Sequence, residues 1–316
     1  MLDLPQEYIA DDPRFETLFD APRDLGTPDV AARAIGVHLE ERFDAAVRAD
    51  RQQVVMLSGG VDSIVALAAL VRTTSVGSVV AITIEGPFGG SDTENARVVA
   101  RLLGVEHVVV TLSETDLGRM VPKLSVDLEC DELWEVGAAI VLRAAVDALA
   151  APVSTVQLWT GDQADAIFGI LGRSPISRYA TGEALSIAQR NRFRALLSSN
   201  RLVPDFYERI MGDSVWKAYG TFEAAQIAAR MHGDALFGGP VPKESLRTLA
   251  EQLGVPSELA RAPKAAMQES SGVFAGLVAL ARHAVAAIPD AATYRDPLEE
   301  PIEQSLVRLW LHTIAQ

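Results

Sequence analysis

The feature that most restricts the fold of this sequence is an alternation of short β-like runs with segments that have the apolar spacing of a helix. Four such runs lie at 53–57, 78–84, 107–112 and 154–159. Strands that alternate with helices form right-handed βαβ units. The sequence therefore predicts an α/β fold with a parallel, doubly wound sheet that helices cover on both faces. Ligands of such sheets bind at the carboxyl ends of the strands.

The helical segments divide the chain into parts. In the first half, helices are predicted at 29–51, 61–71, 92–103, 116–124 and 132–149. From about residue 175 onward no further strand is predicted, and Pro and Gly interrupt a series of helices that ends with an amphipathic helix at 298–316. We therefore predict an N-terminal segment (1–28), an α/β core (29–175) and a C-terminal helical lobe (176–316).

Charge and cysteine content restrict the partners and the compartment. The 316 residues carry a formal net charge of −14, which disfavours binding to nucleic acid or to an anionic membrane. No apolar run approaches the roughly 20 residues that span a bilayer, and the acidic start of the chain lacks the features of a signal peptide. The single cysteine, Cys130, excludes an internal disulfide and fits a reducing compartment. We expect a cytoplasmic protein that acts on a small molecule.

A glycine loop follows the first predicted strand, with the sequence Ser58-Gly59-Gly60-Val61-Asp62-Ser63. The two glycines let the backbone turn sharply and approach a ligand, and the N–H groups at the start of the next helix attract an anion. The hydroxyls of Ser58 and Ser63 add donors. An acid inside a phosphate site requires a bridging cation, so Asp62 predicts Mg²⁺. The alternative is a plain strand–turn–helix junction in which Asp62 caps the helix.

Two more carboxylates, Asp162 and Asp165, follow the fourth predicted strand in the segment 160–169. A pair three residues apart at a strand-to-helix turn can share a cation with Asp62 across the sheet edge. The alternative interpretation is a helix start, where acids are favoured by the helix dipole.

These two segments resemble those of a known family. The sequence SGGVDS resembles the PP-loop of the N-type ATP pyrophosphatases, and segment 158–169 is similar to the SGxGxDExFGG segment of asparagine synthetase. The Walker P-loop is absent. The resemblance implies that Asp162 is catalytic and that Asp62 and Asp165 bind Mg²⁺. It implies that ATP is bound by Met56, Leu57, Ser58, Gly59, Gly60, Asp62, Ser63, Ile84, Thr160 and Gly161. Ala166 stands where the family has Glu. This difference leaves the identity of the substrate open, whereas the binding of ATP is still expected.

A third match lies in segment 261–273, which is similar to the lysine-containing loop of asparagine synthetase-like domains. The resemblance implies that Lys264 is catalytic. It would supply the positive charge that the site otherwise lacks and stabilise the departing pyrophosphate or the oxyanion. The alternative is an ordinary surface lysine.

The resemblance implies a synthetase that uses ATP and Mg²⁺, forms AMP and pyrophosphate, and joins ammonia or an amine to a carboxylate or carbonyl substrate. Residue 2 is Leu, and about 50 residues precede the loop, so we expect no glutaminase domain with a cysteine nucleophile. A PP-loop sulfur-transfer or tRNA-modifying enzyme is one alternative, although one cysteine and a net charge of −14 fit it poorly. A non-catalytic nucleotide-binding regulator is another. A homodimer is one option for the assembly.

The remaining basic residues are predicted to be structural. Arg190, Arg192, Arg194 and Arg201 form a basic patch that is typical of a solvated helical face, with an anion site as the alternative. The five histidines are widely separated and show no metal-ligand spacing.

Overall fold

The structure, a computed structural model, describes residues 6–129, 132–149, 152–169, 182–199, 214–237, 242–263, 267–286 and 302–315. Cys130, Arg201 and Lys264 lie outside these ranges, so the predictions that fall on them stay predictions.

A parallel sheet forms the centre of the described chain. Its strands stand in the order β3-β2-β1-β4-β5. They are β1 (Gln52–Met56), β2 (Val79–Glu85), β3 (Glu106–Thr111), β4 (Val156–Thr160) and β5 (Val215–Lys217). The chain builds outward from β1 to β3 and then returns to the other side of β1, so the strand order reverses between β1 and β4. Ligands of open α/β sheets bind at the carboxyl ends of the strands at such a reversal.

Helices connect the strands and continue after the sheet. In the first half they are α1 (Pro28–Ala46), α2 (Val61–Thr73), α3 (Asp92–Leu103), α4 (Glu114–Leu128), α5 (Leu133–Asp147) and α6 (Ala164–Ile167). In the second half they are α7 (Gly182–Leu196), α8 (Phe222–Arg230), α9 (Gly233–Phe237), α10 (Glu244–Gln252), α11 (Ser257–Ala260), α12 (Met267–Ser270), α13 (Val273–Ala286) and α14 (Ile302–Ala315).

Local sequence signals set several helix ends. Thr27 caps α1, and Pro28 occupies its first turn, where the missing N–H costs nothing. The hydroxyl of Ser113 accepts from the N–H of Asp116, whose carboxylate accepts in return, so α4 begins with a capping box. Gly104 ends α3 in the left-handed conformation.

Apolar side chains fill a core on each face of the sheet. Neighbouring strand residues alternate between the two cores, so Val55 and Trp159 belong to one, and Val54 and Leu158 belong to the other. Helices α1, α2 and α10 pack together on the first face, and α4, α5, α13 and α14 pack on the second. The predicted fold class, a parallel doubly wound α/β sheet with a C-terminal helical region, is confirmed.

Three details differ from the sequence predictions. Strand β5 was not predicted, and it pairs with β4 inside the region that was expected to be helical. The first helix ends at Ala46 rather than near 51, because Val47 is extended and leads into the turn before β1. Helix α4 begins at Glu114 rather than 116, because the capping box fixes its start. No helix in the described ranges is both long enough and apolar enough to cross a membrane.

Candidate active site

The glycine loop lies at the carboxyl end of β1, beside the reversal in strand order. Gly59 has φ of +72°, and a side chain there would meet the Asp92 carbonyl oxygen at 2.5 Å, so both its conformation and its surroundings require glycine. The backbone N–H of Ser58 donates to the Ser63 hydroxyl oxygen at 3.1 Å, and the Ser63 hydroxyl donates to the Gly60 carbonyl at 3.0 Å. The buried Ser63 side chain therefore holds the loop closed on itself.

The end of β4 lies directly against this loop. A side chain at Gly161 would come within 2.9 Å of the Ser63 nitrogen and 3.0 Å of the Asp62 carbonyl carbon, so the glycine permits the close approach. The buried Thr160 hydroxyl has no hydrogen-bond partner in the described structure. Buried polar atoms are rarely left unpaired, so this hydroxyl is a candidate contact for a bound molecule.

The carboxylates of Asp62 and Asp165 converge on one cation, which is the ammonium group of Lys243, and their binding of Mg²⁺ stays a prediction. The Lys243 Nζ lies 2.6 Å from both oxygens of Asp62 and 2.6 Å from Asp165 Oδ1. The Lys243 and Asp62 side chains are buried, at 4% and 7% exposed, while Asp165 is exposed at 67%. A buried charge needs a partner, and this lysine provides one for Asp62.

Lys243 has an unusual backbone conformation. It precedes α10 in the left-handed region, with φ of 66° and ψ of 41°. This region is uncommon for residues other than glycine and costs roughly 1–2 kcal/mol. The surrounding contacts must therefore compensate for the strain.

Tyr219 supports the backbone of the same aspartate. Its hydroxyl donates to the backbone carbonyl of Asp62 at 2.9 Å. Burial, and then the charge of Asp62, raise the pKa of Tyr219 well above its usual value. The phenol therefore stays protonated and keeps donating.

A second lysine faces Asp162, the predicted catalytic aspartate, at the ends of β4 and β5. The Lys217 Nζ lies 3.4 Å from Asp162 Oδ2, with the lysine side chain 1% exposed and the aspartate 40% exposed. Between them on the chain, Gln163 is in the left-handed conformation, and its buried Oε1 has no hydrogen-bond partner in the described structure. This side of the edge is thus a polar surface with an accessible carboxylate.

The expectation that the site lacks positive charge without Lys264 is wrong. Lys217 and Lys243 both lie at the sheet edge, and both side chains are buried. Neither stands within a predicted motif: Lys243 opens the segment KESLR, and Lys217 sits in the apolar run VWKAY. A lysine inside an apolar run was the available signal for Lys217, because lysine is rarely buried unless it is paired.

The predicted ATP-binding residues lie near the carboxyl ends of β1, β2 and β4, and the side chains of Leu57 and Ile84 are part of the apolar cores. Met56 to Ser63 form the β1 end and the loop, and Thr160 and Gly161 lie beside it at the β4 end. Ile84 lies near the end of β2, and its side chain packs in the apolar core of the second face. Contact of these residues with ATP stays a prediction.

Two arginines of the predicted basic patch, Arg190 and Arg194 of α7, pack against the N-terminal segment. Arg194 forms a salt bridge with Glu16 at 2.6 Å, and its guanidinium lies 5.6 Å from the centre of the Phe15 ring. Arg190 lies over Phe19 in the same way. These contacts assign both arginines a structural role and remove them as candidates for a substrate site.

The histidines that make described hydrogen bonds lie in separate places. The His38 ring bonds with the Thr221 hydroxyl, the His107 ring with the Thr83 hydroxyl, and the His232 ring with a backbone carbonyl. Within the described ranges, no group of three or more His, Cys, Asp or Glu side chains is arranged to hold a metal ion.

Comparison with known proteins is consistent with the motifs and the fold. The model of the asparagine synthase family matches residues 37–219, which is more than half of the chain. The chain belongs to the asparagine synthase family. Membership confirms the resemblance to the PP-loop proteins and places the chain in an ATP-dependent, amide-forming synthetase-like class, without assigning asparagine synthesis.

Two solved structures also match the chain. An NAD⁺ synthetase from Burkholderia pseudomallei is 15% identical, with 96% of this chain and 95% of that chain covered and a TM-score of 0.39. An NMN synthetase from Francisella tularensis is 15% identical, with 76% of this chain and 98% of that chain covered and a TM-score of 0.31. No curated protein matches the chain by sequence.

Proposed function

We propose that this protein is an AMP-forming synthetase that adenylates a carboxylate or carbonyl oxygen and then forms an amide or other C–N bond with ammonia or an amine. The observation that carries the proposal is the convergence of Asp62, Asp165 and Lys243 beside the glycine loop. Backbone donors, carboxylates for a divalent cation and a lysine are groups that suit the binding of a nucleotide polyphosphate.

The loop side of the edge is assigned to the nucleotide. We assign the two outer phosphates to the N–H groups at the start of α2, so that pyrophosphate leaves as one unit. The ammonium of Lys243, held on Asp62 and Asp165, adds positive charge beside them. Asp62 and Asp165 suit Mg²⁺, which takes oxygen ligands and is commonly held by one or two carboxylates together with substrate phosphates. The ion supplies charge neutralisation at the leaving group.

Charge balance supports this arrangement. Asp62, Asp162 and Asp165 bring three negative charges next to a polyphosphate, and Lys217 and Lys243 lie against these carboxylates. The carboxylates and the phosphates repel each other, and a divalent cation that lies between them attracts both. We therefore expect the binding of ATP to depend on Mg²⁺.

The β4–β5 side is assigned to the acceptor. The acceptor oxygen attacks the α-phosphorus, and the bond from this phosphorus to the bridging oxygen of pyrophosphate breaks. The nitrogen nucleophile then attacks the activated carbon, the bond to the AMP oxygen breaks, and the nitrogen loses a proton. Asp162 is exposed enough to receive that proton and is held by Lys217. Lys264 is proposed to stabilise the oxyanion.

Exchange of labelled pyrophosphate into ATP tests the proposal directly. The protein is mixed with ATP, Mg²⁺ and a panel of carboxylates, amides and ureas, and the label in ATP is followed. We expect exchange with at least one acceptor, no need for a sulfur donor, and AMP as the product when an amine is added. Asp62→Asn should abolish the exchange, and Asp127→Asn, an exposed aspartate on α4, is the matched control. ADP and phosphate as products would contradict the proposal.

The alternatives predict other outcomes of the same assay. A sulfur-transfer enzyme would need a sulfur donor and an RNA substrate, and a regulatory protein would bind ATP without turnover. A cytoplasmic location and a homodimeric state stay predictions.

A further inference from the structure

A buried arginine on α10 contacts the backbone at two places, one of which adjoins Lys243 of the proposed site. The side chain of Arg247 is 2% exposed. Its Nε donates to the carbonyl of Pro242 at 2.8 Å, and its Nη1 donates to the carbonyls of Ala260 at 2.8 Å and Ala262 at 3.0 Å. One guanidinium thus joins the residue that precedes Lys243 to the segment at 260–262.

These bonds act on the strained residue of the site. Pro242 and Lys243 share the peptide bond whose carbonyl Arg247 holds, and this carbonyl sits directly before the left-handed φ of 66° at Lys243. On the other side of Lys243, the Arg247 backbone N–H donates to the Lys243 carbonyl at 3.1 Å. Arg247 therefore fixes both peptide groups around Lys243, and it compensates for a conformation that an isolated chain would leave.

A role in charge pairing accounts poorly for these contacts. Arg247 forms no carboxylate salt bridge in the described chain, although Asp62 and Glu244 act on it electrostatically. Arg261 makes the carboxylate pairs of this region, with Glu244 and Glu251 at 2.8 Å. A buried guanidinium that donates to backbone carbonyls holds those backbone segments in place, because its planar N–H groups need their acceptors in particular directions.

We infer that Arg247 is a positioning residue for the reaction: it holds Lys243 in the left-handed conformation that aims the ammonium at Asp62 and Asp165. The inference rests on the proposed function for its catalytic consequence. It adds that α10 and segment 260–262 together determine the position of the Lys243 ammonium. A displacement of this ammonium by about 1 Å should lower turnover by about 10²-fold.

A double-mutant cycle separates positioning from general support of the fold. Arg247→Met is measured alone and together with Lys243→Gln, with kcat/KM of pyrophosphate exchange as the readout. If Arg247 acts through Lys243, the loss of about 10²-fold shrinks to less than about threefold once Lys243 is absent. An equal loss in both backgrounds overturns the inference. Arg247→Lys keeps the charge but lacks the planar, forked donors that reach carbonyls in two separate segments, and we expect it to recover little activity.

Arg23 provides a matched control. It is also a partly buried arginine that ties distant segments, since it donates to the Met231 carbonyl at 2.5 Å and to Gln189 Oε1 at 2.6 Å. Neither of these partners belongs to the proposed site. Arg23→Met should lower stability without changing exchange kinetics. A loss of turnover equal to that of Arg247→Met would overturn the inference.

Amide hydrogen exchange gives a readout that needs no activity. Arg247→Met and Arg247→Lys should both raise the exchange rate of the amides at 243–247 and 260–262 by about tenfold or more relative to the amides of α1 and α2, which pack beside α10. Unchanged protection there overturns the inference even if the enzyme is active. If the wild type shows no pyrophosphate exchange with any acceptor, the proposed function fails, and hydrogen exchange still decides whether Arg247 holds Lys243.

Discussion

At the scale of single residues, the site depends on a lysine that is buried with its carboxylate. Lys243 and Asp62 are both less than a tenth exposed, with Nζ 2.6 Å from each carboxylate oxygen. Burial of two charges is costly, and their attraction offsets that cost only while both are present. The loss of either Lys243 or Asp62 should therefore lower the stability of the fold, in addition to any effect on binding.

The first prediction is that Lys243→Met destabilises the protein by about 3–5 kcal/mol, because it leaves the Asp62 carboxylate buried without its cation. The double variant Lys243→Met with Asp62→Asn should recover most of this loss. Urea denaturation in the presence of a chelator measures both, so that no metal ion replaces the lysine. Equal stability of Lys243→Met and the wild type would show that the pair is not buried in solution.

A second prediction concerns Lys264. Lys264→Ala should leave the affinity for ATP nearly unchanged and lower turnover by about 10²-fold or more, since it removes charge stabilisation that is needed only in the transition state. Isothermal calorimetry with an uncleavable ATP analogue and steady-state kinetics give the two numbers. Lys123→Ala, an exposed lysine on α4, is the control. Normal turnover in Lys264→Ala would remove this residue from the site.

A third prediction is a pH dependence of stability from His38. Burial, and then the charge of Arg42, lower the pKa of His38 to about 4, well below the ordinary value of about 6.5 for histidine. The histidine is thus neutral in the folded protein, and the unfolded chain binds an extra proton below about pH 6.5. Stability from this residue is fully present above that pH and is lost as the pH falls toward about 4. Between about pH 7 and about pH 5 the loss is about 2 kcal/mol.

The variant His38→Gln tests the direction of this pH dependence. Urea unfolding at the two pH values gives the change in free energy for each protein, and the wild type should lose about 2 kcal/mol more than the variant. The Thr221 hydroxyl keeps a polar neighbour in the variant. Identical pH dependence in both proteins would place the pKa of His38 near its ordinary value.

The residues of the site differ in how far the sequence could predict them. Asp62, Asp162 and Asp165 follow directly on predicted strands and glycine turns, so strand order alone brings them to one edge. Lys217 and Lys243 reach the same edge through contacts with residues 55 to 181 positions away in the chain. The apolar run around Lys217 indicates that this lysine is buried but not which carboxylate it pairs with, and Lys243 has no such local signal.

At the scale of elements, two loops meet through their backbones. The loop after β2 approaches the segment that follows α12, where the Gly86 N–H donates to the Ser271 carbonyl at 2.6 Å. A side chain on Gly272 would clash with the carbonyl of Gly89, and Gly272 has φ of +79°. The contact therefore fixes the end of α12 against the loop after β2.

The fourth prediction uses two glycines with nearly the same backbone angle. Gly89 has φ of +78°, and a side-chain carbon added there would meet no atom within 4 Å. Gly272 has φ of +79°, and a side-chain carbon added there would also clash with the carbonyl of Gly89. Gly89→Ala should cost about 1 kcal/mol from the left-handed conformation alone. Gly272→Ala should cost about 3 kcal/mol, because the loops must also separate. Urea denaturation compares them, and equal costs would mean that the loops are not in contact.

Elements with a clear periodicity were predictable and short ones were not. The four longer strands and the helix at Asp92–Leu103 agree with the sequence pattern, because each extends over enough residues to show its period. Strand β5 has three residues, Val215–Lys217, which is too few for an alternation to appear. Its place in the sheet comes from pairing with β4, which is a contact between distant segments.

At the scale of the whole molecule, each of the two apolar cores contains residues from more than one of the three predicted parts of the chain. The core on the first face joins Phe15 and Phe19 of the N-terminal segment to Phe193 of α7 and to Leu246 of α10. The core on the second face joins the strands to α13 and α14. The predicted parts 1–28, 29–175 and 176–316 therefore share their apolar interior, and the sequence could not show this because such contacts have no local signal.

The last prediction follows from that shared interior. If the three parts stabilise one another, the chain unfolds in one cooperative step, and a defect in one part lowers the stability of all. Phe15→Ala removes a side chain that is 2% exposed and should cost about 3–5 kcal/mol. Far-UV circular dichroism and tryptophan fluorescence should then report the same lowered urea midpoint, since the tryptophans lie in α5, β4, β5 and α14. Two separate transitions, with only one of them shifted by Phe15→Ala, would show that the N-terminal segment and α7 fold apart from the sheet.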